Sequence, residues 1–196
     1  MVLGSNASSM AVRRAFAWGA VFSLVVFFCM LVPASARPQT DTAAAAAAAV
    51  EKTAVDVLPR MVITTEKYGD IVIELYPKEA PKAVERIMGL VRSGFYDGLW
   101  FHRVESYVIQ TGAIDSELPK IEGEMFSQKL THEEGMVGMA RLPDDYDSAK
   151  TQFYICKQHL PLMNNEYTLF GKVIQGIDIV KKIKKGDKIK TITIAS

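Results

Sequence analysis

"MVITTEKYGDIVIELY", residues 61–76, decides the fold class. "MVITTE" and "DIVIELY" each alternate apolar and polar side chains, and "KYGD" between them brings a glycine to the join. A period of two sends alternate side chains to opposite faces of a strand, so the stretch predicts an antiparallel hairpin with one buried face.

The same pattern continues downstream. "LWFHRV", "YVIQTG", "GMVGMAR", "TQFYICK", "YTLFGKVI" and "IKTITIA" read as further short strands. Between them, "PKEAPKAVERIMGLVRSG" places Pro81 in a first helical turn and Val84, Ile87, Met88 and Val91 on one face, with Gly94 as the stop. "GIDIVKKIKKG" predicts a short helix with Ile177, Ile179, Val180 and Ile183 on its apolar side. Residues 113–132 are loop-rich, and "LPDDYDSAK" is a polar connection. Many short strands with two helices predict an all-β barrel whose ends the helices cover.

Upstream of the hairpin the composition changes. Ala15 to Val32 carries no charge, Arg13 and Arg14 precede it, and "PASA" ends at Ala36 with small residues at Ala34 and Ala36. A basic start, an apolar core and an A-x-A end form a secretory signal peptide, here residues 1–36. The alternative is an uncleaved anchor facing the non-cytoplasmic side, since the run is just long enough to span a membrane. Residues 37–58, with seven consecutive alanines, form a spacer, and the domain occupies 59–196. An exported protein is expected, in a periplasm or outside the cell, with a membrane role only if the leader stays.

Removing residues 1–36 takes basic side chains from 23 to 21 against 22 acidic ones. So balanced a charge gives no case for nucleic acid or an anionic surface. Cys29 lies in the leader, which leaves Cys156 without a disulfide partner. His102, His132 and His159 have no cysteines at ligand spacing, and "THEEGM" lacks the second histidine of a zinc helix. G-x-S-x-G and phosphate-loop spacings are missing, so neither metal nor cofactor is expected.

"FHRVESYVIQTG", residues 101–112, sets a guanidinium among aromatic and β-branched residues. Alone, Arg103 reads as a solvated strand residue. Its context changes that reading. "YDGLWFHRV", "IQTG", "GMVGMAR", "TQFYI" and "YTLFGKVIQG", in this order over residues 61–194, resemble the cyclophilin family of peptidyl-prolyl cis-trans isomerases. The resemblance implies a closed eight-stranded antiparallel barrel capped by two helices, acting as a monomer on proline-containing segments of folding proteins.

It also implies the site. Arg103 matches the main catalytic side chain, and Gln110 stands with it. Tyr107, Val108, Ala140, Gln152, Tyr154, Leu162, Met163 and Tyr167 match peptide-binding positions, and Arg141 a residue used through its main chain. There are departures. "VESYVI" is one residue shorter than usual, and Thr111 replaces a glycine. Arg141 replaces an asparagine, Leu162 stands where many members have Trp, and Tyr167 stands at a pocket His. Tyr154 falls on an aromatic position that the family fills with Phe, and the loop before Gln152 is about two residues longer. A proline-peptide binding module with little turnover, or a structural tethered domain, are the competing expectations.

Overall fold

The structure is a computed structural model that describes residues 57–195. The expected leader, 1–36, and residues 37–56 of the spacer lie outside the described residues.

The opening hairpin forms from β1 (Arg60–Thr65) and β2 (Gly69–Leu75), with Met61 opposite Ile73 and Ile63 opposite Ile71. Gly69 at φ 93° makes the turn in a backbone region that side chains with a Cβ avoid. α1 (Pro81–Arg92) follows and buries Ala83, Val84, Ile87 and Val91. Its start is capped from a distance: the Glu124 carboxylate accepts the main-chain N–H groups of Lys82 and Ala83, each at 3.0 Å. These donors have no partner inside a helix, so the bond ties the loop-rich region to α1.

The remaining strands are β3 (Arg103–Val104), β4 (Val108–Thr111), β5 (Met136–Met139), β6 (Phe153–Cys156), β7 (Leu169–Gln175) and β8 (Ile189–Ala195), with α2 (Ile177–Lys182) before the last. Short 3-10 turns occupy Met125–Ser127 and Pro161–Met163. One sheet runs β3-β4-β6-β5-β7-β2-β1-β8 with every pairing antiparallel.

The expected closure into a full barrel is not met. β3 and β8 are the sheet's two ends, and between the chain segments before them runs a single isolated bridge, Trp100 to Lys188. Phe101 N–H to Asp187 O at 2.9 Å and Ile189 N–H to Leu99 O at 2.8 Å flank that bridge. Only Arg103 and Val104 of "LWFHRV" enter the ladder, because the main-chain groups of Leu99 and Phe101 are bonded to residues 186–189 instead. The architecture is a mainly β, eight-stranded curled half-barrel with two helices.

Two apolar clusters lie on opposite faces of this sheet. Inside, Met61, Ile63, Ile71, Ile73, Phe153 and Phe170 are fully buried with α1 packed against them. Outside, Val108, Met136, Tyr154, Cys156 and Leu169 form a smaller cluster. The alternation is plainest on β6, where Phe153 and Ile155 belong to the inner set and Tyr154 and Cys156 to the outer.

Candidate active site

β3 and β4 set Arg103 directly opposite Gln110. The Arg103 side chain is 47% exposed and held at its edges. Its Nη2 donates to the Tyr107 hydroxyl at 2.9 Å, Nη1 lies 3.5 Å from Gln110 Oε1, and Nε lies 3.7 Å from Glu105 Oε1. The bond to Gln110 is long, so the Tyr107 contact orients the guanidinium more firmly.

Behind Arg103 the amides point one way. Gln152 Nε2 donates to Ala113 O at 2.9 Å, which leaves Gln152 Oε1 to accept from Gln110 Nε2 at 2.7 Å. Gln110 Oε1 is thereby turned toward the guanidinium. His102 also bonds Gln152; burial pushes its imidazole below the ordinary value, with that bond opposing and the Arg103 charge adding to the fall.

Beside this polar chain lies the outer cluster. Val108 and Tyr154 are buried, and Tyr107, Ala140, Met163 and Tyr167 are part-buried against them. Together they make an apolar cup one side chain away from Arg103. Past Gln110 and Gln152 a cavity of about 520 Å³ opens, with Ile114 and Leu142 among its walls. The shorter turn of "VESYVI" still places Tyr107 on the guanidinium and Val108 in the cup.

Two expected residues behave differently. Leu162 is 95% exposed, and the structure does not bring it to the cup. It shares a 3-10 turn with Met163, and successive side chains of such a turn point about 120° apart, so Met163 faces in and Leu162 out. Arg141, expected to act through its main chain, has a side chain only 4% exposed. Its Nε donates to Glu166 O at 2.7 Å, Nη2 to Glu166 Oε2 at 2.9 Å, and Nη1 to Leu142 O at 2.8 Å. Its guanidinium stacks on Tyr146 at 4.2 Å and Tyr167 at 4.8 Å. The side chain therefore fixes the long polar loop to the wall of the cup.

Sequence reasoning passed over His132, which is fully buried with Nε2 2.7 Å from the Tyr154 hydroxyl. A signal existed: a tyrosine on a buried strand needs a partner for its hydroxyl. Cys156, beneath the cup, has its thiol pushed up to about 12 by burial and is no nucleophile near neutral pH. No group of three metal-binding side chains occurs among the described residues.

The family model described as cyclophilin type peptidyl-prolyl cis-trans isomerase matches residues 60–196. A probable peptidyl-prolyl cis-trans isomerase of Brucella suis is 38% identical over 145 residues, covering 65% of this chain and 72% of the relative. A peptidyl-prolyl cis-trans isomerase of Helicobacter pylori is 35% identical, covering 68% and 85%. Among solved structures, a Hirschia baltica cyclophilin superposes with TM-score 0.62 at 22% identity, covering 68% of this chain and 73% of that one. A Cryptosporidium parvum cyclophilin type isomerase, in the presence of the dipeptide Ala-Pro, gives 0.63 at 26% identity, covering 70% and 99%.

Proposed function

The chain belongs to the cyclophilin-type peptidyl-prolyl cis-trans isomerases, and from that premise we propose which of its residues turn the X-Pro bond. Rotation of a peptide bond must cross a barrier of about 18–20 kcal/mol set by amide resonance. No bond is made or broken, so the site needs no nucleophile and no metal. In the twisted amide the proline nitrogen loses conjugation and regains a lone pair. Arg103 supplies the donor for that lone pair, held by Tyr107 and by the Gln110–Gln152 chain. A donor fixed in advance costs no reorganisation at the moment of rotation. Each 1.36 kcal/mol it removes from the barrier is about tenfold in rate.

The cup of Val108, Tyr154, Met163 and Tyr167 grips the proline ring and replaces water around the amide. Ala140 and the Arg141 main chain border the path of the flanking peptide, and Leu162 meets it only from the solvent side. The Ala-Pro dipeptide named with the Cryptosporidium relative supports proline-containing segments as partners. We further propose that residues 1–36 direct export and are removed, that 37–58 act as a spacer, and that the domain from residue 59 works as a monomer on exported, folding proteins. An intact mass beginning at Arg37 in the exported protein is the expected outcome; a retained leader would place the domain on a membrane instead.

The observation that carries the site assignment is the oriented guanidinium beside an apolar cup. Its test is Arg103→Lys, which keeps charge and most of the stem but loses the planar fork. Exchange of a saturating Ala-Pro peptide, followed by NMR, should slow by roughly one to three powers of ten, or about 1.4–4 kcal/mol. Circular dichroism should stay unchanged. An unchanged exchange rate in the folded variant would remove Arg103 from the reaction.

A further inference from the structure

Tyr154 floors the cup with its ring, yet its hydroxyl points away from the cup into the protein. There it meets His132 Nε2 at 2.7 Å. On the far side of the imidazole, Nδ1 lies 3.1 Å from Asn164 Oδ1. That same oxygen accepts the main-chain N–H of His132 at 2.8 Å. An atom accepting a backbone N–H is the amide oxygen, so Nδ1 must carry the proton that completes its contact. A neutral imidazole protonated at Nδ1 has its lone pair at Nε2. The Tyr154 hydroxyl is therefore the donor, and the chain runs in one direction from Tyr154 through His132 to Asn164.

The slot around the hydroxyl is fitted to it. A β-carbon built on Gly138 would stand 2.4 Å from the hydroxyl oxygen, so any larger residue at 138 would expel the tyrosine. The Tyr154 and His132 rings lie 9° from parallel, and Tyr167 packs edge-on against both, at 5.6 and 6.3 Å. Three conditions meet on one phenol: room at Gly138, an acceptor at His132 and a clamp at Tyr167.

We propose that His132 is a positioning residue of the isomerase site, fixing through Tyr154 the depth and tilt of the ring under the substrate proline. The inference rests on the reading of Tyr154 as part of the cup. Without its acceptor the buried phenol would be left with an unsatisfied hydroxyl, a cost that a shift of the ring relieves. The movement that satisfies the hydroxyl is thus a movement of the floor of the cup.

Two substitutions separate positioning from plain packing. His132→Asn keeps an amide N–H near the place of Nδ1 and offers nothing at Nε2. His132→Gln reaches the place of Nε2 with an amide oxygen. For an Ala-Pro peptide, His132→Asn should raise KM about five- to tenfold with kcat changed by about twofold or less, and His132→Gln should recover most of the loss. Equal KM values for the two folded variants would overturn the proposal. Should neither variant fold, nitrogen-15 NMR of the unmodified protein decides: Nδ1 protonated and Nε2 accepting is expected, and the opposite tautomer overturns it. Tyr154→Ala distinguishes this failure from a deeper one. An unmoved KM in Tyr154→Ala would remove Tyr154 from the cup altogether, whereas a raised KM there with Asn and Gln alike at 132 would sink the positioning role alone.

Discussion

The two faces of the sheet carry apolar clusters made from different side chains. The inner one is chiefly Ile, Val, Met and Phe, closed over by α1. The outer one gathers four tyrosines, Tyr76, Tyr107, Tyr154 and Tyr167, with Met136 and Met163. Aliphatic side chains suit a space sealed on all sides, where any polar atom would lack water. Tyrosine suits a surface closed on one side, because the ring packs while the hydroxyl finds a partner or solvent. The difference teaches that the inner cluster is sealed and holds the fold, whereas the outer one is the surface on which the proposed proline ligand would seat.

Mutations should divide along that line. The largest effect belongs to Phe170→Ala in the inner cluster, which should lower the unfolding free energy by about 3–5 kcal/mol in urea titration. Peptide exchange per folded molecule should stay near the parent value. A drop in turnover without lost stability would show that the two clusters are not separable. Met163→Ala, part-buried in the outer cluster, should do the reverse: KM rises about three- to tenfold, while stability falls by only about 1 kcal/mol.

A smaller effect concerns pH. Burial pushes the His132 imidazole below its ordinary value, and the Asn164 bond opposes that only in part. The unfolded chain therefore binds the proton more readily, so the His132 contribution is complete above the unfolded value of about 6.5 and is lost as pH falls through the lower folded value. The charged groups nearby are Glu133, paired with His159 at 3.0 Å, and Arg141 on the face of Tyr167. Burial holds the Tyr154 hydroxyl well above its ordinary value, so it does not titrate in this range. Stability against pH should decline below about pH 6.5, less steeply in His132→Gln; His102, also lowered by burial, keeps the remainder. Identical slopes with and without His132 would mean that the imidazole is not buried neutral. The smallest effect is expected for Leu162→Ala, within about 0.5 kcal/mol in stability and about twofold in KM. A larger KM rise would bring Leu162 onto the bound peptide and widen the outer cluster.

The hairpin, α1 and the strand order along the chain were legible because each rests on local periodicity, with Pro81 and Gly94 marking the helix ends. Arg103, Gln110, Gln152 and Tyr154 were legible through ordered motifs, and the ladder does align Arg103 with Gln110 and Gln110 with Tyr154. Closure was not legible, since it depends on how the segment before β3 meets the segment before β8, a matter of long-range register rather than local pattern. The fate of the Arg141 side chain was hidden for another reason. Its partners Glu166 and Tyr167 are distant in sequence, Tyr146 lies on its own irregular loop, and none carries a periodic signal. His132 was hidden likewise, because its partners come from β6 and from the turn after Pro161–Met163.

The open seam between β3 and β8 bears on self-association. An unpaired strand edge is a template on which another extended chain can add itself. Here β3 is two residues long and carries Arg103, too short and too charged to seed such an addition. Along β8, the Ile192 N–H is taken by the Asp97 carboxylate at 3.1 Å, and Ile189 O accepts the Gly98 N–H at 3.0 Å. Exposed Lys188 and Lys190 flank the same edge. Any extended chain that meets this edge thus finds little free backbone on which to polymerise.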